Sequence, residues 1–272
     1  MQTVKSFPLS PYLDLFEVNL PFILIIPMNK RTLLFLFSTI LILFAAGIVL
    51  AAPEKEKTMI VNTVDISAAS NNSMFAMYDT LELEALGLSR EAFEKAMQGY
   101  NYLLASGKII NQDIISIIDF SLPSDKKRLF VIDLKEGELV YNTFVAHGKR
   151  SGTKLATQFS NKKESNKSSL GFYVTGETYN GHHGYSLRLE GEEKGINDNA
   201  LNRGIVMHSA SYVDEKIIEG QGYIGRSLGC PAIPSNVYKQ VIGTIRNGTC
   251  LFIYSPDKYY ASHSKIITQV KG

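Results

Sequence analysis

The chain has 272 residues, 45% of them hydrophobic, and 28 Lys and Arg against 26 Asp and Glu give a formal net charge of +2. That balance excludes a disordered chain, which lacks the apolar surface to offset its ordering entropy, and supplies no basic field for nucleic acid. Two cysteines, Cys230 and Cys250, are too few for a disulfide-stapled scaffold and lack paired zinc-ligand spacing.

Met28-Asn-Lys-Arg precedes Thr32 to Leu50, an uncharged run rich in Leu, Ile and Phe that ends at Ala51-Ala52 and Pro53-Glu-Lys-Glu-Lys. A basic start, an apolar middle and small residues before a polar segment form a secretory signal cut near Ala51. The run is about 19 residues, long enough to span a bilayer, so an uncleaved membrane anchor is the other reading of residues 1–52. Because this pattern starts cleanly at Met28, translation is expected to begin there. Everything after residue 53 is expected to be exported, periplasmic or associated with the cell envelope. Residues 53–78 are polar and Ser/Asn-rich, as in a linker.

A helical segment is expected over residues 79–122, packed on the domain that follows. Asp79 with Glu82 three residues on forms a capping-box pattern, and Gly87 closes that helix. Ser89 starts a second helix, with Phe93, Met97, Tyr100 and Leu104 at helical spacing and Gly107 as its stop. A third short helical stretch is expected over Asn111 to Ile118.

After Pro123 the period changes. Leu129–Leu134 and Leu139–Val145 are β-rich runs joined by Lys135-Glu-Gly-Glu138, a hairpin. Short strands are expected at Phe172–Thr175, Ser186–Leu189, Ile205–His208 and Cys250–Tyr254, interrupted by one helix, Ser235–Arg246, with Ser235 as N-cap. The fold class is therefore α+β: a mainly-β, sandwich- or barrel-like domain at 123–258 after a short helical segment, with a tail at 259–272.

Two residues carry chemistry. His208 ends an apolar strand, and Cys230 sits in a tight turn between Gly229 and Pro231. A free thiol titrates near ~8.5 and needs a base or a positive neighbour, which His208 can supply. The amides of Gly229 and Cys230 are candidate oxyanion donors, and the helix after Cys230 presents its positive end. Spacing alone leaves two bland readings open: a Cys230–Cys250 disulfide with a core histidine, or a buried unpaired Cys250. His182-His183 on one strand would face opposite ways, which argues against a shared metal.

Ser227-Leu-Gly-Cys230, preceded by a strand-borne His208, resembles the Ser-x-Gly-Cys signature of the L,D-transpeptidase (YkuD-type) catalytic domain. Ser168-Ser-Leu-Gly-Phe-Tyr, His183-Gly-Tyr-Ser-Leu-Arg-Leu-Glu-Gly, Gly195-Ile-Asn-Asp-Asn-Ala and Gly225-Arg-Ser-Leu-Gly-Cys-Pro-Ala-Ile-Pro extend the resemblance over roughly residues 79–256 to the murein L,D-transpeptidase branch. The resemblance implies acyl transfer on peptidoglycan stem peptides, with Cys230 as nucleophile, His208 as base, and neither cofactor nor metal. It also implies that His183 lines the substrate groove.

One departure stands out: better-known members carry Arg two residues after the nucleophile, where this chain has Ala232. Arg226 and Arg188 are the candidates to hold a substrate carboxylate in its place. Ser227 either orients His208, binds substrate or stabilises its turn, and Asn197-Asp-Asn199 is either a family loop or an Asx turn. The alternatives to transfer are an L,D-carboxypeptidase or endopeptidase with the same dyad, and a silent wall-binding module with paired cysteines.

Overall fold

The computed structural model describes residues 76–269. The expected signal or anchor, the start at Met28 and nearly all of the linker lie outside the described residues. Among the described residues no helix is long and apolar enough to cross a membrane.

Ser89 caps the first long helix, α1 (Arg90–Ala105), its hydroxyl accepting from the Ala92 amide at 3.1 Å. Ala92, Phe93, Ala96, Tyr100 and Leu103 form the buried stripe, while Met97 and Leu104 pack at its margin. Gly99 lets the helix lie directly on the sheet, because a Cβ there would stand 2.0 Å from the Phe172 ring. The short helix expected from Asp79 does not form. A helical turn at 76–80 gives way to turns through residue 87; Glu82 has φ 49°, and the Asp79 carboxylate pairs with Arg90 at 2.7 Å instead of capping.

The expected third helix is a strand. Ile114-Ile-Ser-Ile-Ile-Asp forms β1 (Ile114–Asp119), buried along its whole length. A β-branched run buried on both faces belongs at the centre of a sheet, where that burial overrides any local spacing. It pairs antiparallel with β2 (Leu129–Asp133) and parallel with β8 (Cys250–Tyr254). The segment 79–122 is thus part of the β domain. The hairpin of β2 with β3 (Glu138–Thr143) forms as expected. The remaining strands are β4 (Gly171–Gly181), β5 (Gly184–Gly191), β6 (Val206–Ser209) and β7 (Ala232–Ile233).

The eight strands run in the order β3-β2-β1-β8-β4-β5-β6-β7. Just past β3, Ala146 bridges to Ala232 of β7, its amide donating to the Ala232 carbonyl at 2.7 Å. The two ends of the sheet therefore meet, and the fold is a nearly closed, mainly-β barrel flanked by helices.

Three further helices complete it besides α2 (Glu215–Gln221), described below. The helix α3 (Tyr238–Ile245) has Val237 at its N-cap position and no side-chain cap, so Ser235 does not cap it. Its start lies beyond β7, and its positive end is not at Cys230. In place of a tail, α4 (Lys258–His263) and α5 (Lys265–Gln269) bury Tyr260, Ile266 and Ile267. The buried Glu193 carboxylate ties them down, accepting from Phe172 N, Tyr260 Oη and Ser264 Oγ.

Candidate active site

Alternation along β6 sends Met207 into the core and leaves Val206 and His208 on the other face. The His208 Nδ1 lies 2.8 Å from the Ser209 carbonyl oxygen. A carbonyl only accepts, so Nδ1 carries the proton and the Nε2 lone pair is the free one. Burial pushes the imidazole below its ordinary pKa, the Ser209 bond opposes that, and His183 adds to the lowering. His208 is therefore neutral at neutral pH, with the geometry of a base.

His183 comes from the turn between β4 and β5. Gly181 pairs with Gly184, so His182 and His183 are the two turn residues and not, as expected, members of one strand. The His183 ring stacks on His208 with centroids 4.1 Å apart and planes 18° apart. Among the described residues no group of three His, Cys, Asp or Glu side chains is arranged to hold a metal ion.

The turn Ser227-Leu-Gly-Cys230 is wired from within. Ser227 Oγ donates to the Cys230 carbonyl at 2.6 Å and accepts from the Gly229 amide at 3.0 Å. Ser227 is thus the turn's own brace, with its one hydroxyl proton committed to the turn. The Gly229 amide is likewise committed, which removes it as an oxyanion donor and leaves the Cys230 amide. Gly229 has φ 133°, a conformation that only glycine adopts without strain. From beneath, Ser168 Oγ accepts from Gly148 N and donates to the Gly229 carbonyl at 3.2 Å, and the Ser227 amide donates to His147 O at 2.9 Å.

The Cys230 sulfur lies 3.6 Å from the Gly204 carbonyl, to which it donates, and 3.5 Å from the Val206 amide, from which it accepts. Because His208 pairs with Ala232 in parallel register, Cys230 runs alongside Val206, two residues short of His208. The sulfur is not hydrogen-bonded to His208 in this resting arrangement; catalytic hydrogen bonds commonly tighten only with substrate. Burial raises the thiol pKa, against the Val206 amide and the Arg203 charge, so the resting group is the thiol. Both cysteines are free. Cys250 lies in β8 between Ile115 and Val174, fully buried, and the expected alternative of a Cys230–Cys250 disulfide does not occur.

Arg203, directly before the Gly204-Ile-Val-Met-His208 run, went unnoticed in the sequence. Its guanidinium donates to Ser160 O (2.7 Å), Lys167 O (2.6 Å), Ser169 Oγ (2.5 Å) and Ser165 Oγ (3.3 Å), all neutral acceptors. It reaches the Cys230 turn: a Cβ on Gly229 would stand 3.2 Å from its Nη2. His147 also went unnoticed. It is fully buried, receives Arg128 Nη2 on Nδ1 at 2.8 Å and donates from Nε2 to Gly152 O at 3.2 Å, so it is a support of the turn and not a second base. Its signal, a His-Gly pair closing an apolar run, is present but unspecific.

Arg226 donates to Gly152 O at 3.2 Å and lies over Tyr223, with no acidic partner among the described residues. Arg188 stands opposite Val206, on the face that carries His208, but pairs with Glu177 at 3.3 Å and lies over Tyr179. Ala232 is fully buried in a small apolar cluster with Phe144, Ala146, Ala210, Val213 and Ile224. That cluster anchors residues 210–225, the excursion between His208 and Cys230 that carries α2. No room is left at residue 232 for a guanidinium. Asn197 is buried and structural, its amide donating to Leu170 O and Phe172 O and its oxygen accepting from Glu193 N.

The family model described as L,D-transpeptidase catalytic domain (YkuD_2) matches residues 84–254. No curated protein matches the chain. Among solved structures, an L,D-transpeptidase from Mycobacterium smegmatis is similar at 13% identity and TM-score 0.33, over 53% of this chain and 59% of that one. An L,D-transpeptidase (Yku) from Stackebrandtia nassauensis is similar at 12% and 0.34, over 62% and 69%. The helical cell shape determining protein Pgp2 from Campylobacter jejuni is similar at 17% and 0.33, over 59% and 57%. The chain thus spans under two thirds of the length of the first of these.

Proposed function

Because the chain belongs to the L,D-transpeptidase catalytic domain family, we propose that it is an exported cysteine acyltransferase acting on peptidoglycan stem peptides. The observation that carries this reading is the complementary state of two side chains. The His208 tautomer is fixed with its Nε2 lone pair free, and Cys230 presents a reduced thiol two register positions away, in the turn that leads into the adjoining strand.

In this mechanism His208 Nε2 takes the thiol proton as the sulfur attacks the carbonyl carbon of the diamino acid's L-centre. The Cys230 amide is the donor proposed for the oxygen that becomes negative. The C–N bond to the terminal D-alanine breaks, the proton on His208 passes to the leaving amine, and a thioester remains on Cys230. An amine from a second stem attacks the thioester, its proton goes to His208, and the thiol is released with a new L,D-cross-link. Arg226 is the residue proposed to receive the substrate's carboxylate, since its remaining donors have no acidic partner. Arg188 is the weaker candidate because Glu177 already occupies it. His183 lines the same groove through its contact with His208.

Incubation with purified tetrapeptide muropeptides and mass spectrometry of the products test the proposal. Cross-linked dimer with release of D-alanine is expected, and Cys230→Ala abolishes it. Tripeptide monomer alone would assign hydrolysis instead of transfer. Full turnover by Cys230→Ala would overturn the mechanism.

A further inference from the structure

The thiol that must ionise during the reaction lies in a partly buried turn, and burial works against its charged form. The helix expected to offset this does not begin at Cys230. The groups that face the sulfur are the Val206 amide, Arg203, the Tyr212 phenol and, further along β6, His208 with His183 stacked on it. Only Arg203 among them carries a fixed positive charge.

Three observations single out Arg203. Its four hydrogen-bond partners are two carbonyls and two hydroxyls, and among the described residues no carboxylate forms an ion pair with it. Its Nε is buried without a partner. Its Nη2 stands beside Gly229, the residue before the nucleophile, while the carbonyl that receives the thiol belongs to Gly204, the residue after Arg203. The strand-entry segment 203–206 therefore gives the sulfur a carbonyl and an amide and sets a guanidinium beside the turn that carries it.

We propose that Arg203 is the electrostatic partner of the nucleophile. Its guanidinium, held immobile by residues 160–169, stabilises negative charge on the Cys230 sulfur as the proton leaves for His208. It acts on the sulfur and not on a substrate carboxylate, so it differs from the role considered for Arg226. The immobilisation matters because a preorganised charge costs no reorganisation during reaction, and a partly desolvated one is weakly screened. The inference rests on Cys230 being the nucleophile but not on the identity of the peptide it attacks.

The test is the pH dependence of Cys230 alkylation by iodoacetamide, with the adduct localised by peptide mass, in wild type, Arg203→Gln and Arg203→Lys. Gln keeps hydrogen bonding without charge; Lys keeps charge without the fork. The half-maximal pH is expected to rise by about one unit in Arg203→Gln, a roughly tenfold loss of thiolate at neutral pH, and to stay close to wild type in Arg203→Lys. An unshifted Arg203→Gln overturns the proposal. An equal shift in both variants also overturns it, since that would mark a loop-anchoring role.

A second measurement needs no variant. A cation beside the sulfur raises the ratio of iodoacetate to iodoacetamide rates above that of free cysteine, and a ratio at or below it overturns the proposal. Should wild type form no acyl-enzyme with tetrapeptide stems while these alkylation results hold, the peptidoglycan reading falls and the Arg203 assignment stands.

Discussion

The Ser227 hydroxyl donates to the carbonyl of Cys230 at 2.6 Å, so the residue that opens the signature holds the backbone of the residue that closes it. The same oxygen takes the Gly229 amide, and the turn's shape depends on one side-chain atom. Ser227→Ala leaves that amide buried without a partner, at a cost of about 1–3 kcal/mol. Chemical denaturation is expected to show that loss, with acylation slowed at least several-fold. Full acylation rates at unchanged stability would contradict this role.

In the proposed mechanism the stacked pair His183–His208 sets the acidic limit of the reaction. His208 must be neutral to act as base, and its pKa lies below the ordinary value of ~6.5. The rate is therefore expected to fall only below that pH. His183→Ala removes the ring stacked on His208 and with it one cause of the lowered His208 pKa. The acidic limb of kcat/KM is expected to move to higher pH, with a several-fold lower plateau.

His147 makes the folded state acid-sensitive. Burial pushes its pKa down to about 4, and the nearby Arg128 charge adds to this. The unfolded chain takes up the proton near the ordinary value, so it binds more protons than the folded chain between those limits. Stability is full above about pH 6.5 and is lost as pH falls towards 4, by up to about 3 kcal/mol from this group. Denaturation midpoints at pH 7 and pH 5 measure the loss. His147→Gln should flatten that part of the slope whatever its effect at pH 7.

Ala232→Arg is expected to damage the protein and not to restore a family feature. Residue 232 is fully buried against Ala146 and in register with His208. An unpaired guanidinium there costs several kcal/mol or displaces residues 210–225; about 3 kcal/mol is a floor for a broken buried arrangement. A melting temperature drop with loss of activity is the expected result. Activity equal to wild type would show that the cluster yields.

The strands with β-branched runs and turn residues between them were legible in the sequence, as were the cap at Ser89 and the placing of His208 on a strand and Cys230 in a turn. Ile114–Asp119 was misread because a six-residue apolar run fits either a helix or a buried strand, and only pairing with β2 and β8 decides between them. Asp79 failed as a cap because Arg90, eleven residues away, took its carboxylate. Arg203 was missed for a different reason. A lone arginine has no spacing signature, and its placement beside Gly229 comes from loop 160–169, which has no periodic pattern.

The order of strands assigns the last one made a special place. Since β8 is hydrogen-bonded to β1 on one side and β4 on the other, it joins the three strands before it in the sheet to the four after it, and only single bridges such as Ala146–Ala232 meet on the far side. A chain lacking residues 250–254 would hold two incomplete halves, with His208 and Cys230 already present but their barrel open. His183, His208 and Cys230 all precede β8 in the chain. Completion of the sheet around His208 and Cys230 therefore waits on residues 250–254, which follow both in the chain.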